Sequence, residues 1–255
     1  MINRYSILPL LLVSACADAK REPSSDAPAE TEREAVPGGR QQILFVGTSL
    51  TAGLGLDPSL AYPALIQRKL DEAGLEYETY NAGVSGETSA GARERIGWLM
   101  ERRRPAVLVI ETGANDGLRG LDVAAMRANL EAMVDRAQRQ DPAPDILIVG
   151  MEASPTLGRD YTSAFRAVFR EVAEAKGAVY VPFILEGVAG VDSLNQGDGI
   201  HPTASGQRIM AEIMWQALEP VLRRRQQVVL GRFGGHPERA QASRGIYSES
   251  PVTDQ

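Results

Sequence analysis

From residue 41 onward, short apolar runs alternate with longer stretches in which apolar residues recur every three or four positions. The runs at 43–46 (ILFV), 77–80 (YETY), 107–110 (VLVI), 146–149 (ILIV) and 179–181 (VYV) are short and mostly β-branched or aromatic, which predicts strands. The stretches 62–73, 90–101, 123–139 and 161–176 carry the helical period, and 205–224 closes the series. Regular strand–helix alternation is the pattern of right-handed βαβ units. It predicts an α/β fold with a parallel sheet covered on both faces and ligand sites at the carboxyl ends of the strands.

The two ends of the chain break this pattern. Residues 16–40 are rich in Pro, Ser, Ala and charge with almost no large apolar side chain, so they bury too little to offset ordering entropy and read as a flexible linker. The segment 226–255 loses periodicity and is rich in Gly, Ser, Pro, Gln and Arg, which predicts a mostly disordered tail. The folded unit is expected at 41–225.

Composition adds little to the fold and more to the setting. With 44% hydrophobic and 24% charged residues the balance is ordinary for one globular domain, and a net charge of −6 without a basic stripe gives no nucleic-acid footprint. The single cysteine, Cys16, excludes an intramolecular disulfide and a cysteine-based zinc site. It follows a short cationic start and an apolar run at 5–13, which reads as a signal peptide over 1–15. The tetrad Val13-Ser14-Ala15-Cys16 resembles a bacterial lipoprotein box, which implies lipidation of Cys16, a membrane anchor and, since Ala17 is not aspartate, the periplasmic side of an outer membrane. The alternative is an ordinary secretory peptide with an incidental cysteine, and a periplasmic or secreted protein.

The chemistry begins at the end of the first strand, where ILFV runs into Gly47-Thr48-Ser49-Leu50-Thr51-Ala52-Gly53. A serine there is either a helix N-cap or a nucleophile. Phosphate cradles fail, since the Walker lysine is absent and Gly53-Leu54-Gly55 has no third glycine at the dinucleotide spacing. The G-x-S-x-G elbow fails at Thr51. A serine nucleophile needs a base, and of two histidines only His201 lies in the expected folded unit. It sits in Asp198-Gly199-Ile200-His201-Pro202, where a carboxylate three residues earlier can fold back onto Nδ1 and leave Nε2 for the serine. Alternatively, Thr203 or Ser205 begins the last helix in a capping arrangement and Asp198 simply braces the loop. A metal site would need several carboxylates converging, and none is expected. Acyl transfer also needs oxyanion donors. The loops Asn81-Ala82-Gly83-Val84-Ser85-Gly86 and Thr112-Gly113-Ala114-Asn115-Asp116-Gly117 could supply a backbone N–H and a side-chain amide, though each alone is ordinary turn chemistry.

Taken in order, Gly47-Thr48-Ser49-Leu50, Gly83, Gly113-Ala114-Asn115-Asp116 and Asp198-x-x-His201 resemble the motifs of the SGNH (GDSL-like) hydrolase family over nearly all of 41–225. GANDGLRG (113–120) and DGIHP (198–202) are similar to its acyl-CoA thioesterase I, lysophospholipase and arylesterase branch. The resemblance implies a flavodoxin-like three-layer α/β/α sandwich with a five-stranded parallel sheet, Ser49 as nucleophile, His201 as base and then acid, and Asp198 as its orienting carboxylate. It further implies an oxyanion hole from the N–H groups of Ser49 and Gly83 and the side chain of Asn115. No cofactor is implied. The family's usual G-D-S-L has Thr48 in place of its aspartate here, which removes a charge beside the nucleophile.

The expected activity is hydrolysis of aryl or acyl esters, with thioesters and lysophospholipids as further small substrates. Leu54, Leu56 and the loop from Glu152 to Tyr161 are candidate acyl-chain contacts, with core packing and a surface loop as the alternative. A carbohydrate O-acetyl esterase of the envelope would use the same triad. A non-catalytic lipoprotein that binds lipid or glycan is the reading that Thr48 favours.

Overall fold

The structure, a computed structural model, describes residues 39–233. The signal peptide at 1–15, Cys16, nearly all of the linker at 16–40 and residues 234–255 with His236 lie outside the described residues.

Five parallel strands form one sheet in the order β2-β1-β3-β4-β5. These are β1 (Gln41–Gly47), β2 (Tyr77–Gly83), β3 (Val107–Glu111), β4 (Asp145–Val149) and β5 (Val179–Val181). The helices are α1 (Ser49–Ala52), α2 (Tyr62–Glu72), α3 (Ser89–Arg103), α4 (Ala114–Leu118), α5 (Val123–Gln138), α6 (Arg159–Lys176) and α7 (Ala204–Phe233). Helices α3, α5 and α6 pack side by side, while α2 packs on α7, giving the three layers that the alternation predicts. Because both faces are covered, Ile43 to Val46 and Val107 to Ile110 are fully buried, which is why those strands read as unbroken apolar runs.

The strand order places the site. The chain goes from β1 outward to β2 and then crosses to β3 on the other side of β1, so the loops after β1 and β3 diverge and leave a crevice at the carboxyl ends. Gly47 is level with Gly83 on one side and Glu111 on the other, so three candidate loops start at one height.

All five strands and the five long helices lie within a few residues of expectation, with one correction. The last helix runs beyond 225 to Phe233, so the expected tail does not begin at 226. Up to Leu222 the helix has a buried face, and Arg224 and Arg225 then both pair with Asp145 at the start of β4. Beyond them Val228 is half exposed, and the added turns extend an existing helix and need no new nucleus. Periodicity cannot announce such turns. Nor can it announce α1 and α4, which are single turns where the sequence suggests loops.

Candidate active site

Ser49 is the first residue of α1, directly after β1. Thr48 is its N-cap and accepts the Leu50 N–H at 3.4 Å, and Gly53 ends the helix in the left-handed conformation (φ 70°). Its own turn supplies bonds from the Ala52 N–H to the Thr48 carbonyl and from the Gly53 N–H to the Ser49 carbonyl, too few to hold so short a helix, and further bonds come from elsewhere. Asn81 of β2 donates to the Thr51 carbonyl at 2.7 Å, and buried Gln207 of α7 donates to the Leu50 carbonyl at 3.2 Å. From β3, the fully buried Glu111 carboxylate accepts the N–H groups and hydroxyls of both Thr48 and Thr51. Burial pushes the Glu111 carboxyl up to about 7, against the pull of those hydrogen bonds.

The base loop reaches Ser49 from the far side. Gly199 is left-handed (φ 75°), a conformation that suits glycine, and it turns the chain so that Asp198 faces back toward His201. Asp198 Oδ1 accepts the N–H groups of Ile200 and His201, each at 3.0 Å, and Oδ2 lies 2.6 Å from His201 Nδ1. An ionised carboxylate only accepts, so Nδ1 carries the proton and donates it. In the neutral ring Nε2 is then an acceptor, and it lies 2.9 Å from Ser49 Oγ, whose hydroxyl donates to it. The hydrogen bond from His201, followed by the two N–H groups, holds the Asp198 carboxyl well below the usual carboxylate range.

On the β3 side, Gly113 (φ 95°) starts α4, and Asn115 in its first turn donates Nδ2–H to the Glu87 carbonyl at 3.0 Å. The amide keeps a second hydrogen. Asp116 anchors this turn by accepting the N–H and hydroxyl of Ser89 at 2.8 and 2.6 Å, and Arg119 ties it to the Gly86 carbonyl. Gly83 is a position of close approach: a Cβ there would lie 2.3 Å from the Ala52 nitrogen. Its N–H donates to Asn81 Oδ1 at 2.9 Å.

Ser49, Asn115 and His201 line a cavity of about 520 Å³ whose other walls are largely apolar, among them Leu54, Leu118, Met151, Phe183, Leu185 and Ile200. Of the acyl-contact candidates, Leu54 and the start of the loop, Glu152 to Pro155, line it. Leu56 and Tyr161 do not. The correction for Tyr161 has a clear cause: its ring stacks on Phe165 and its hydroxyl donates to the Leu121 carbonyl at 2.8 Å, so it props the loop after α4. Gly83 is also not part of the wall, whereas Gly86 of the same loop is.

Sequence reasoning missed Glu111, Gln207 and Gln196. Glu111 left one usable signal, a carboxylate ending a strand that is otherwise apolar throughout. The two glutamines left none, since nothing in their neighbourhoods marks a polar side chain that reaches across the fold.

The sequence matches the model of the GDSL-like Lipase/Acylhydrolase family over residues 45–209. It is 41% identical over 182 residues to Esterase TesA of Pseudomonas aeruginosa, covering 71% of this chain and 90% of that one. The crystal structure of TesA superimposes with a TM-score of 0.68, covering 71% of this chain and 99% of the other. Thioesterase 1/protease 1/lysophospholipase L1 of Escherichia coli K12 is 30% identical over 180 residues, 71% of this chain and 84% of that one. AlinE4, described as an SGNH-hydrolase family esterase, superimposes with a TM-score of 0.60 at 38% identity, covering 72% of this chain and 98% of the other. A family match across most of the chain, on a sheet whose crevice joins serine, histidine and carboxylate, means that the chain belongs to the GDSL-like lipase/acylhydrolase family of SGNH serine hydrolases.

Proposed function

We infer that this protein is a serine esterase that hydrolyses carboxylic esters through an acyl-enzyme on Ser49. The observation that carries this is the continuous relay from Asp198 through His201 to Ser49 Oγ at the end of an apolar cavity. Ser49 Oγ attacks the ester carbonyl as His201 Nε2 takes its proton, and Asp198 stabilises the resulting imidazolium. The collapsing tetrahedral intermediate expels the alcohol, which receives the proton from His201. Water, deprotonated by His201 in turn, then releases the acid and restores Ser49.

The oxyanion is assigned to the Ser49 N–H, which opens a helix where N–H groups lack intrahelical acceptors, and to the second hydrogen of Asn115 Nδ2. The Gly83 N–H, the third donor that the family resemblance implies, is engaged by Asn81 Oδ1 outside the cavity wall, so the first two donors carry the assignment. Thr48 fits catalysis, since its hydroxyl is engaged with Glu111 and leaves the Ser49–His201 contact intact.

The apolar walls favour acyl and aryl esters, including acyl thioesters and lysophospholipids, over acetylated sugars, which need polar contacts along the ring. The test is labelling by a fluorophosphonate probe, followed by rates on p-nitrophenyl esters from acetyl to long chains. Labelling at Ser49, its loss in Ser49→Ala and turnover beyond the acetyl ester are expected. Folded protein that is neither labelled nor active sinks this reading, and acetyl-only turnover favours the sugar deacetylase.

Lipid anchoring at Cys16 on the periplasmic side of an outer membrane is supported by the Val13–Cys16 tetrad and the 16–40 composition alone. Labelled palmitate should enter the protein in bacterial cells and be lost in Cys16→Ala. Equal incorporation by both would remove the anchor from the proposal.

A further inference from the structure

Glu111 is buried completely, one strand over from the nucleophile, and the reaction as written does not use it. Among the described residues its hydrogen-bond partners are Thr48 and Thr51, the residues that bracket Ser49. Oε2 accepts the Thr48 N–H at 3.0 Å, the Thr51 N–H at 3.3 Å and the Thr51 hydroxyl at 2.7 Å, and the Thr48 hydroxyl lies 3.1 Å from both oxygens. Gly47 makes the room for this cluster, since a Cβ there would lie 1.9 Å from Thr51 Oγ1 and 2.7 Å from Glu111 Oε2.

We propose that Glu111 is a positioning residue, whose ionised carboxylate holds the Thr48–Thr51 turn so that Ser49 Oγ meets His201, and whose protonation loosens the turn and slows acylation. This rests on the reading of Ser49 as the nucleophile.

The donor set explains why charge matters. Two of the partners are backbone N–H groups, which can only donate, and a carboxylate is the acceptor-only group that suits them. A proton on the carboxyl adds one more hydrogen to the cluster. On Oε1, whose partner is the Thr48 hydroxyl, it reverses that bond so that the carboxyl donates, and the neutral carboxyl is then a weaker acceptor for the two N–H groups that hold the turn. Burial resists the charge and the four donors favour it, and the balance falls near neutrality.

The surrounding charged and titratable groups leave Glu111 as the second titrating partner of the turn. Tyr62 of α2 hydrogen-bonds Thr51 Oγ1 at 2.9 Å, and burial and the Glu111 charge raise its hydroxyl further from ionisation. Arg95 of α3 points toward the Gly47 carbonyl and is paired with Glu87. Asp116 of α4 is held by Ser89, and the Asp198–His201 pair lies across Ser49.

The test follows the rate constant for fluorophosphonate labelling of Ser49, and kcat/KM on a p-nitrophenyl ester, from about pH 5 to pH 9. With both His201 and Glu111 required in their deprotonated forms, the wild-type acid limb should approach a slope of about two protons. Glu111→Gln should fall about 10- to 100-fold at high pH and show a slope of about one. A merely structural role would lower the rate and leave the slope alone. A wild-type slope of about one, or a folded Glu111→Gln with the wild-type profile, overturns the proposal. Where Glu111→Gln does not fold, Thr48→Val decides: losing the hydroxyl should move the second step up by about one pH unit, with Thr48→Ser restoring it. An unmoved step overturns the proposal. Wild-type protein that is never labelled points instead to failure of the esterase reading.

Discussion

Gln196 Nε2 donates to the Leu54 carbonyl at 2.7 Å and to the Pro202 carbonyl at 3.0 Å, so one side chain joins the segment after Ser49 to the loop that carries His201. The same residue's N–H donates to the His201 carbonyl at 2.7 Å. The 2.9 Å contact between Ser49 and His201 thus spans two loops that are stitched at their bases. Gln196→Ala should lower kcat about 10-fold by loosening that contact, and lower unfolding stability by about 1–2 kcal/mol for two lost hydrogen bonds. Steady-state kinetics and urea unfolding check both. Unchanged kcat in a destabilised variant would reduce Gln196 to a structural tie.

Asn115→Ala keeps the fold of α4, whose anchor is Asp116, and removes the amide assigned to the oxyanion. A loss of about 100- to 1,000-fold in kcat with little change in KM is expected, because the oxyanion exists in the transition state and not in the bound ester. A pure KM effect would assign Asn115 to substrate binding.

Leu54 and Tyr161 separate wall from scaffold. Leu54→Ala should weaken kcat/KM selectively for longer acyl esters, by about 0.8 kcal/mol for each methylene no longer covered. Tyr161→Phe should leave chain-length preference untouched and cost about 1 kcal/mol of stability through its bond to the Leu121 carbonyl. A chain-length series read beside thermal unfolding distinguishes the two.

Glu111 also ties stability to pH. Its carboxyl is raised from 4.5 to about 7 in the folded protein, so between these values the folded state holds a proton that the unfolded state has released. Stability from this group is therefore full below about pH 4.5 and is lost as pH rises to about 7, by up to about 3 kcal/mol. Urea midpoints at intervals across this range should show the decline in the wild type and a flatter curve in Glu111→Gln. Parallel curves would remove Glu111 as the cause.

Much of the site was legible because its parts sit where short apolar runs stop. The end of β1 exposes Ser49, and Asp198-x-x-His201 carries its own geometry through Gly199. What stayed hidden depends on distance across the fold. Leu56 lies two residues from Leu54 yet misses the cavity, and Tyr161 turns its polar end to a backbone carbonyl. Glu111 acquires its partners only when β3 is laid beside β1. The continuation of α7 past 225 only lengthens a helix already nucleated, which no periodicity in 226–233 announces.

Helix α1 has four residues, and restraints from β2, β3 and α7 supplement the single turn of backbone bonds it makes for itself. Such a segment has no separate melting transition, because it is ordered only while three distant elements are docked. Heat inactivation should therefore coincide with cooperative unfolding of the domain and not precede it, so that surviving activity counts intact molecules.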